Sequence, residues 1–204
     1  NRVLAVSGQV VPAAPLPLTL HAELADGSRL HGQSRIARAR GVTRVWITPA
    51  DVHATAEATE AIGAADLVVL GPGSLYTSLL PSLLIPEIRA ALLASPALRV
   101  YVANVATQQG ETEGFGLADH LAALAAHGTL GAVDVVLAND GPPARAPEGW
   151  PAHPVAVDID PSPDARPHLV LADVVDPANG HHHDPARLAA ALMGVLASRT
   201  ATVP

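Results

Sequence analysis

Asp66-Leu67-Val68-Val69-Leu70-Gly71-Pro72-Gly73-Ser74-Leu75-Tyr76-Thr77-Ser78 runs from a short apolar strand into a glycine-rich turn carrying Ser74, Thr77 and Ser78, where a helix should begin. Two glycines let the backbone turn sharply and approach a ligand closely, and the free N–H groups of a helix start carry partial positive charge. An α/β protein builds an anion site in this way, and a phosphate or pyrophosphate fits it. The pattern is neither the phosphate-binding loop with its Lys nor the dinucleotide fingerprint, since G-K-[ST] and G-x-G-x-x-G are both absent. Two readings of the turn stand: a ligand seat, or a tight connection in which Ser74 caps the helix.

Upstream of this turn the chain reads as β-rich. Strands are expected at 9–13, 18–24 and 29–36, with Asp26-Gly27 as the hairpin turn between the last two, and another at 44–47. Thr48-Pro49 followed by Asp51 opens a helix reaching about residue 65. Downstream, helices are expected at 86–94 and 117–127, alternating with buried strands at 99–104 and 133–139. Strands alternating with helices predict an α/β fold: a Rossmann-like three-layer sandwich with a mainly parallel sheet, and a β-rich excursion near the start of the chain. Residues 142–167 are Pro-rich and read as an extended excursion with one strand at 155–157. A strand at 169–175 follows, and Asp184 caps a last helix that has Pro185 at its first position and ends near Arg199.

Composition narrows the function. The formal net charge of -7 leaves no broad basic surface for nucleic acid, whose binding rests on neutralised phosphates. All 12 basic residues are Arg, so a small anion must be met by a few Arg and by backbone amides. Without Cys there is no disulfide, thiolate metal site or Cys nucleophile, and a reducing cytoplasm fits this best. No apolar run approaches the roughly 18 to 20 residues of a membrane span, so no membrane insertion is expected. The chain reads as one domain, residues 1–204. It opens without Met and in a β-like pattern, as a piece incomplete at its N-terminus would.

Parallel strands place their following loops on one rim, which gathers three segments. These are Gly71, Pro72, Gly73, Ser74 and Thr77; Asn104 to Gly110; and Asn139, Asp140 and Gly141. Asn104, Thr107 and Gln108 are suited to hydrogen-bonding sugar hydroxyls or a base. Glu111 and Asp119 are candidates for a divalent cation such as magnesium, or for orienting an Arg. Asn139-Asp140-Gly141-Pro142 is also a common turn. His181-His182-His183-Asp184 has metal-ligand chemistry, but neighbouring residues on a strand or loop do not all point inward, so at most one His is expected to do so. Ser74 and Thr77 lack a G-x-S-x-G elbow, which argues against hydrolase chemistry. The run Arg35, Arg38, Arg40 and Arg44 reads as a solvated strand edge or, alternatively, as a contact for a phosphate or a partner protein.

The stretch from Gly71, G-P-G-S-L-Y-T-S-L-L-P-S-L-L-I-P, and that from Asn104, N-V-A-T-Q-Q-G-E-T-E-G-F-G-L-A-D-H, together resemble the gluconeogenesis factor family of YvcK-like proteins. The likeness extends to L-H-A-E-L-A-D-G-S-R-L-H-G-Q-S-R-I from Leu20, to Val135 through Asp140, and to His183-Asp184-Pro185. That family is in turn similar to the transferase that moves a phospholactyl group from a guanosine-diphosphate carrier to a deazaflavin precursor. The resemblance implies a Rossmann-like sheet and the binding of a nucleotide sugar of the uridine-diphosphate type, with links to gluconeogenic growth, cell shape and peptidoglycan supply. It requires no catalysis, and it leaves a further alternative, a partner-docking protein without a ligand, in which the β-rich first portion and the Arg35 to Arg44 run serve self-association or docking onto cell-wall machinery. The G-G-G-T-G loop and Asp-Asp-Gly-Gly segment usual near the start of such proteins are not in this sequence, so its residues would supply the other wall of the cleft.

Overall fold

The computed structural model describes residues 8–141, 152–159, 162 and 165–200. Its centre is a parallel sheet in the order β4-β5-β6-β7, formed by β4 (Leu67–Leu70), β5 (Leu98–Val102), β6 (Val135–Asn139) and β7 (His168–Ala172). The two middle strands are apolar almost throughout because both of their faces are covered. Side chains alternate between those faces. Val68, Leu70, Tyr101, Val136 and Ala138 join the main core, while Leu98, Val100, Val102, Val135 and Leu137 form a second core.

Three layers result. On the main-core side pack α2 (Ala56–Gly63), α4 (Pro86–Ala94) and α5 (Leu117–Ala126), through Ala58, Ile88, Leu92, Leu117 and Leu124. On the other side lies α6 (Pro185–Thr200), through Leu188, Leu192, Val195 and Leu196. Asp184 caps α6 as expected, its Oδ1 accepting from the N–H groups of Ala186 and Arg187 at 2.9 Å each.

The β-rich excursion is a separate antiparallel sheet, β2-β1-β3, made of β1 (Thr19–Leu24), β2 (Arg29–His31) and β3 (Val42–Thr48). Asp26-Gly27 makes the hairpin turn, with Gly27 at φ 81°. Its inner residues Leu20, Ala22, Val45 and Ile47 run into the main core.

Several expected boundaries move, each for a tertiary reason. Residues 9–13 form no strand, and the strand expected at 29–36 stops at His31, where Gly32 at φ 92° turns the chain into a short helix, α1 (Gln33–Ile36). The helix expected after Pro49 starts only at Ala56. Before it, Glu87 of α4 takes the Ala54 N–H at 2.7 Å and the His53 ring at 2.7 Å, which holds that approach out of the helix. Residues 155–157 make no strand. One isolated bridge, Ala106 to Pro154, and the Val155 N–H to the Val105 carbonyl at 3.1 Å tie that segment to the loop after β5.

The strand expected at 169–175 divides. Asn139 Oδ1 accepts from the Val174 N–H at 3.0 Å, and the chain leaves the sheet there for a hairpin of β8 (Val175–Asp176) and β9 (Asn179–His183). Of the Pro-rich excursion expected at 142–167, residues 142–151, 160, 161, 163 and 164 lie outside the described residues.

Candidate functional site

The turn after β4 is held open by its own backbone and by one side chain. Gly71 sits at φ 85°, and a Cβ there would lie 3.1 Å from the Val102 carbonyl oxygen, so only glycine fits between β4 and β5. Asn104, just beyond β5, grips the turn with both ends of its amide. Its Oδ1 accepts from the Gly73 N–H at 3.2 Å and its Nδ2 donates to the Gly73 carbonyl at 3.0 Å.

Ser74 does not cap the helix that follows. Its hydroxyl accepts from Gln108 Nε2 at 2.9 Å, and the cap comes from across the cleft. The chain enters a π-helical turn, Leu75–Leu79, that continues into α3 (Leu80–Leu83). Glu111 Oε1 accepts from the Tyr76 N–H at 2.5 Å and the Thr77 N–H at 2.9 Å, while Oε2 accepts from the Thr77 hydroxyl at 3.1 Å. Glu111 is only 3% exposed, and burial pushes its carboxyl above the ordinary range in spite of these three donors. The positive pole of this helix start is therefore met by the protein's own carboxylate.

Glu111 is thus buried against a helix start, where its lone pairs are committed to backbone and hydroxyl donors. Asp119 is used similarly, its Oδ2 accepting from the Gly116 N–H at 2.9 Å at the start of α5. No group of three His, Asp or Glu positioned to hold a metal ion occurs among the described residues. Thr77, also buried, faces Glu111.

Five of the remaining candidates gather at a cleft of about 590 Å³ at the carboxyl ends of β4 and β5. Pro72, Gly73, Asn104, Thr107 and Gln108 line it, with His181, His182 and His183 of β9 as a further wall. Thr107 is fixed by the segment below it, its N–H donating to the His153 carbonyl at 2.7 Å and its hydroxyl accepting from the His153 N–H at 2.9 Å. Gln108 Oε1 is enclosed and has no hydrogen-bond partner among the described residues. Asn139 and Asp140 lie apart from this cleft, beside a smaller one of about 140 Å³ bounded by Gly141, Pro154 and Gly180. Asn139 spends its amide on the Gly141 carbonyl and the Val174 N–H.

Sequence reasoning saw the three histidines but did not bring them to the site. The strand period is real, yet β9 crosses the rim, so all three reach its lining. His183 Nε2 donates to the Ala103 carbonyl at 3.2 Å, and burial holds its imidazole below the ordinary value. The signal that would have found them is the hairpin pattern V-D-P-A-N-G-H, whose turn residues fold 179–183 back over the end of the sheet.

An open parallel sheet covered by helices on both faces, with a polar cleft beyond the carboxyl ends of its strands, defines an α/β protein of the doubly wound class. The family model described as 2-phospho-L-lactate transferase CofD matches residues 1–174, and the chain belongs to the CofD family. It is 46% identical over 143 residues to a gluconeogenesis factor of Halalkalibacterium halodurans, covering 70% of this chain and 44% of that protein. It is 44% identical over 140 residues to the gluconeogenesis factor of Bacillus subtilis, covering 68% and 44%. The crystal structure of a UPF0052 family member from Bacillus halodurans superposes with a TM-score of 0.83 at 36% identity, covering 94% of this chain and 64% of that one. The chain thus spans less than half the length of these curated relatives. No single helix among the described residues is long and apolar enough to cross a membrane.

Proposed function

We propose that this chain binds a uridine-diphosphate sugar in the cleft beyond β4 and β5. On this reading it acts in the cytoplasm as a regulator of the gluconeogenesis factor type, adjusting the supply of peptidoglycan precursors and with it cell shape. The observation that carries the reading is the turn at Gly71 to Gly73, gripped by Asn104 beside an open polar cleft of about 590 Å³. A volume of that size suits a nucleotide-sized ligand. Gln108 Oε1 supports it too, since an enclosed acceptor without a partner is costly and a sugar or base donor would satisfy it.

In this reading Gly73 and Ser74 meet the diphosphate, and Asn104, Thr107 and Gln108 meet sugar or base. The helix-start donors at Tyr76 and Thr77 stay with Glu111. Calorimetric titration with uridine- and guanosine-diphosphate sugars tests the reading, with uridine-selective binding as the expected result. Equal affinity for both nucleotides, or binding undiminished in Gly73→Val, would overturn it.

The family description favours a second reading, a phospholactyl-type transferase using a guanosine-diphosphate donor and a deazaflavin acceptor. A divalent cation such as magnesium would then neutralise the leaving diphosphate. Turnover of that donor, dependent on added magnesium, would establish it, and a folded protein without turnover would exclude it.

A further inference from the structure

The wall of the cleft formed by β9 has a charge property that the rest of the lining lacks. Among the described residues the lining contains no Arg, Asp or Glu, and the whole chain has no Lys. The side chains there that can become cationic are His181, His182 and His183. A diphosphate brings at least two negative charges into the cleft, and the nearest helix start has already been given to Glu111. Backbone N–H groups of the turn are neutral dipoles, so whatever full positive charge the described wall offers comes from imidazole.

The three histidines differ in what else they do. His183 is anchored to the Ala103 carbonyl, and burial disfavours its charged form. The ring nitrogens of His181 are enclosed. His182 is exposed, and makes no hydrogen bond or ion pair with a described residue. Its position in the hairpin is fixed, since β9 pairs with β8 and Asp184 caps the following helix.

We infer that His182 is the phosphate-contacting cation of this cleft, taking up a proton when an anionic diphosphate or phosphate group binds. The inference rests on the reading of the cleft as a diphosphate site and names the group that answers its charge. His182 couples electrostatically to the neighbouring His183, and the titratable groups of the adjoining segments are otherwise engaged. From β8 comes Asp176, whose Oδ1 accepts from the Ala178 N–H at 2.8 Å. From the segment below comes the exposed His153, bound through its backbone to Thr107. The loop after β5 contributes Glu111, committed to the π-helical turn. Beyond β9, Asp184 caps α6 and Arg187 is paired with Asp173 at 2.7 Å.

The test reads both affinity and the imidazole itself. Uridine-diphosphate glucose carries no group that titrates near neutrality, so a pH dependence of its binding belongs to the protein. Its affinity is expected to fall about tenfold between about pH 6 and about pH 8, and to lose that slope in His182→Gln. In histidine-ring NMR spectra, the signals absent from His182→Gln identify His182, and they should move toward the imidazolium position on adding either the nucleotide sugar or pyrophosphate.

Sugar binding that is flat with pH, equal in the variant and silent in the His182 ring would overturn the inference and leave the nucleotide-sugar reading standing. A His182 ring that answers pyrophosphate while the nucleotide sugar fails to bind would uphold the inference and overturn that reading. A protein that binds neither probe overturns both.

Discussion

The parallel sheet has a cleft at each end, and the two are built on opposite electrostatic plans. The cleft at the amino ends of β5, β6 and β7 is the larger, about 670 Å³, and holds Asp134, Arg166, His168 and Arg199. Its charges are largely spent on the protein. Asp134 accepts from the Arg99 N–H and side chain at 2.6 to 2.9 Å, Arg199 donates to the Pro96 carbonyl at 2.9 Å, and Arg166 to the His168 ring at 3.1 Å. Among the described residues the cleft at the carboxyl ends carries no fixed charge in its lining, whose polar side chains are amides, a hydroxyl and imidazoles. Volume alone would favour the amino end, away from the cleft proposed as the ligand site. The teaching is that a site is marked by polar groups left with capacity to spare, and that paired charges mark structure.

The largest effect that would break this contrast is at Glu111, the one carboxylate that structures the carboxyl-end loops. Glu111→Ala strands two backbone N–H groups and a hydroxyl in a buried place, and is expected to cost about 3 kcal/mol in urea unfolding. A loss below about 1 kcal/mol would show that the π-helical turn finds other acceptors. Next comes Asp134→Ala at the opposite end. It leaves a half-buried Arg99 without its partner and should cost about 2 kcal/mol while ligand affinity stays the same. A change in affinity there would dissolve the distinction between the two ends.

Acid supplies a shallower probe. His120, His127 and His183 are all held below the ordinary value of 6.5, with burial as the leading cause. His127 must be neutral to do its work, because Nε2 accepts from the Val45 N–H at 2.9 Å while Nδ1 donates to the Ala123 carbonyl at 2.7 Å. Above 6.5 the folded and unfolded chains bind the same protons at these sites. Below it the unfolded chain protonates first, so stability falls until the native imidazoles protonate as well. Glu111 has the opposite sign: its raised value penalises the folded state above 4.5, a penalty that fades as the pH drops through its folded value. With three imidazoles against one carboxyl, urea midpoints should decline from neutrality toward about pH 5. A midpoint that rises over that range would mean that the histidines are not buried as described.

The smallest effect on stability sharpens the comparison most. Gly73→Ala places a Cβ 3.9 Å from Ser78, an ordinary contact at unstrained φ, and should change stability by less than about 0.5 kcal/mol. Gly71→Ala meets a positive φ and the Val102 carbonyl, and should cost about 2 kcal/mol. If the two variants unfold alike, the turn is looser than its Asn104 grip implies.

Much of the fold was legible because its signals are local. The buried run at 98–102 and the amphipathic Leu117–Ala126 each bury what their own residues dictate, and Asp184-Pro185 opens a helix wherever it stands. The misses came where a distant group overrode local preference. Glu87 delayed α2, Gly32 diverted the second strand, and Asn139 drew Val174 out of the sheet. The site was half legible for the same reason. Gly73, Asn104, Thr107 and Gln108 follow strand ends, and the fold gathers them at the candidate cleft. Thr77 and Glu111 turned to each other, and the β9 histidines arrived through a hairpin whose turn signal a reading by strand ends passes over.

By itself, then, the sequence determined the alternation of strands and helices, the glycine turn after β4, the absence of thiol chemistry and the scarcity of cationic groups. Those follow from residue type and short-range sterics. The tertiary structure decided which anion fills the helix start and which imidazoles face the cleft. Hydrogen-bond partners 34 and 35 residues apart in the chain, such as Thr77 and Tyr76 with Glu111, are chosen by packing, because a buried donor takes whichever acceptor the folded core brings within reach.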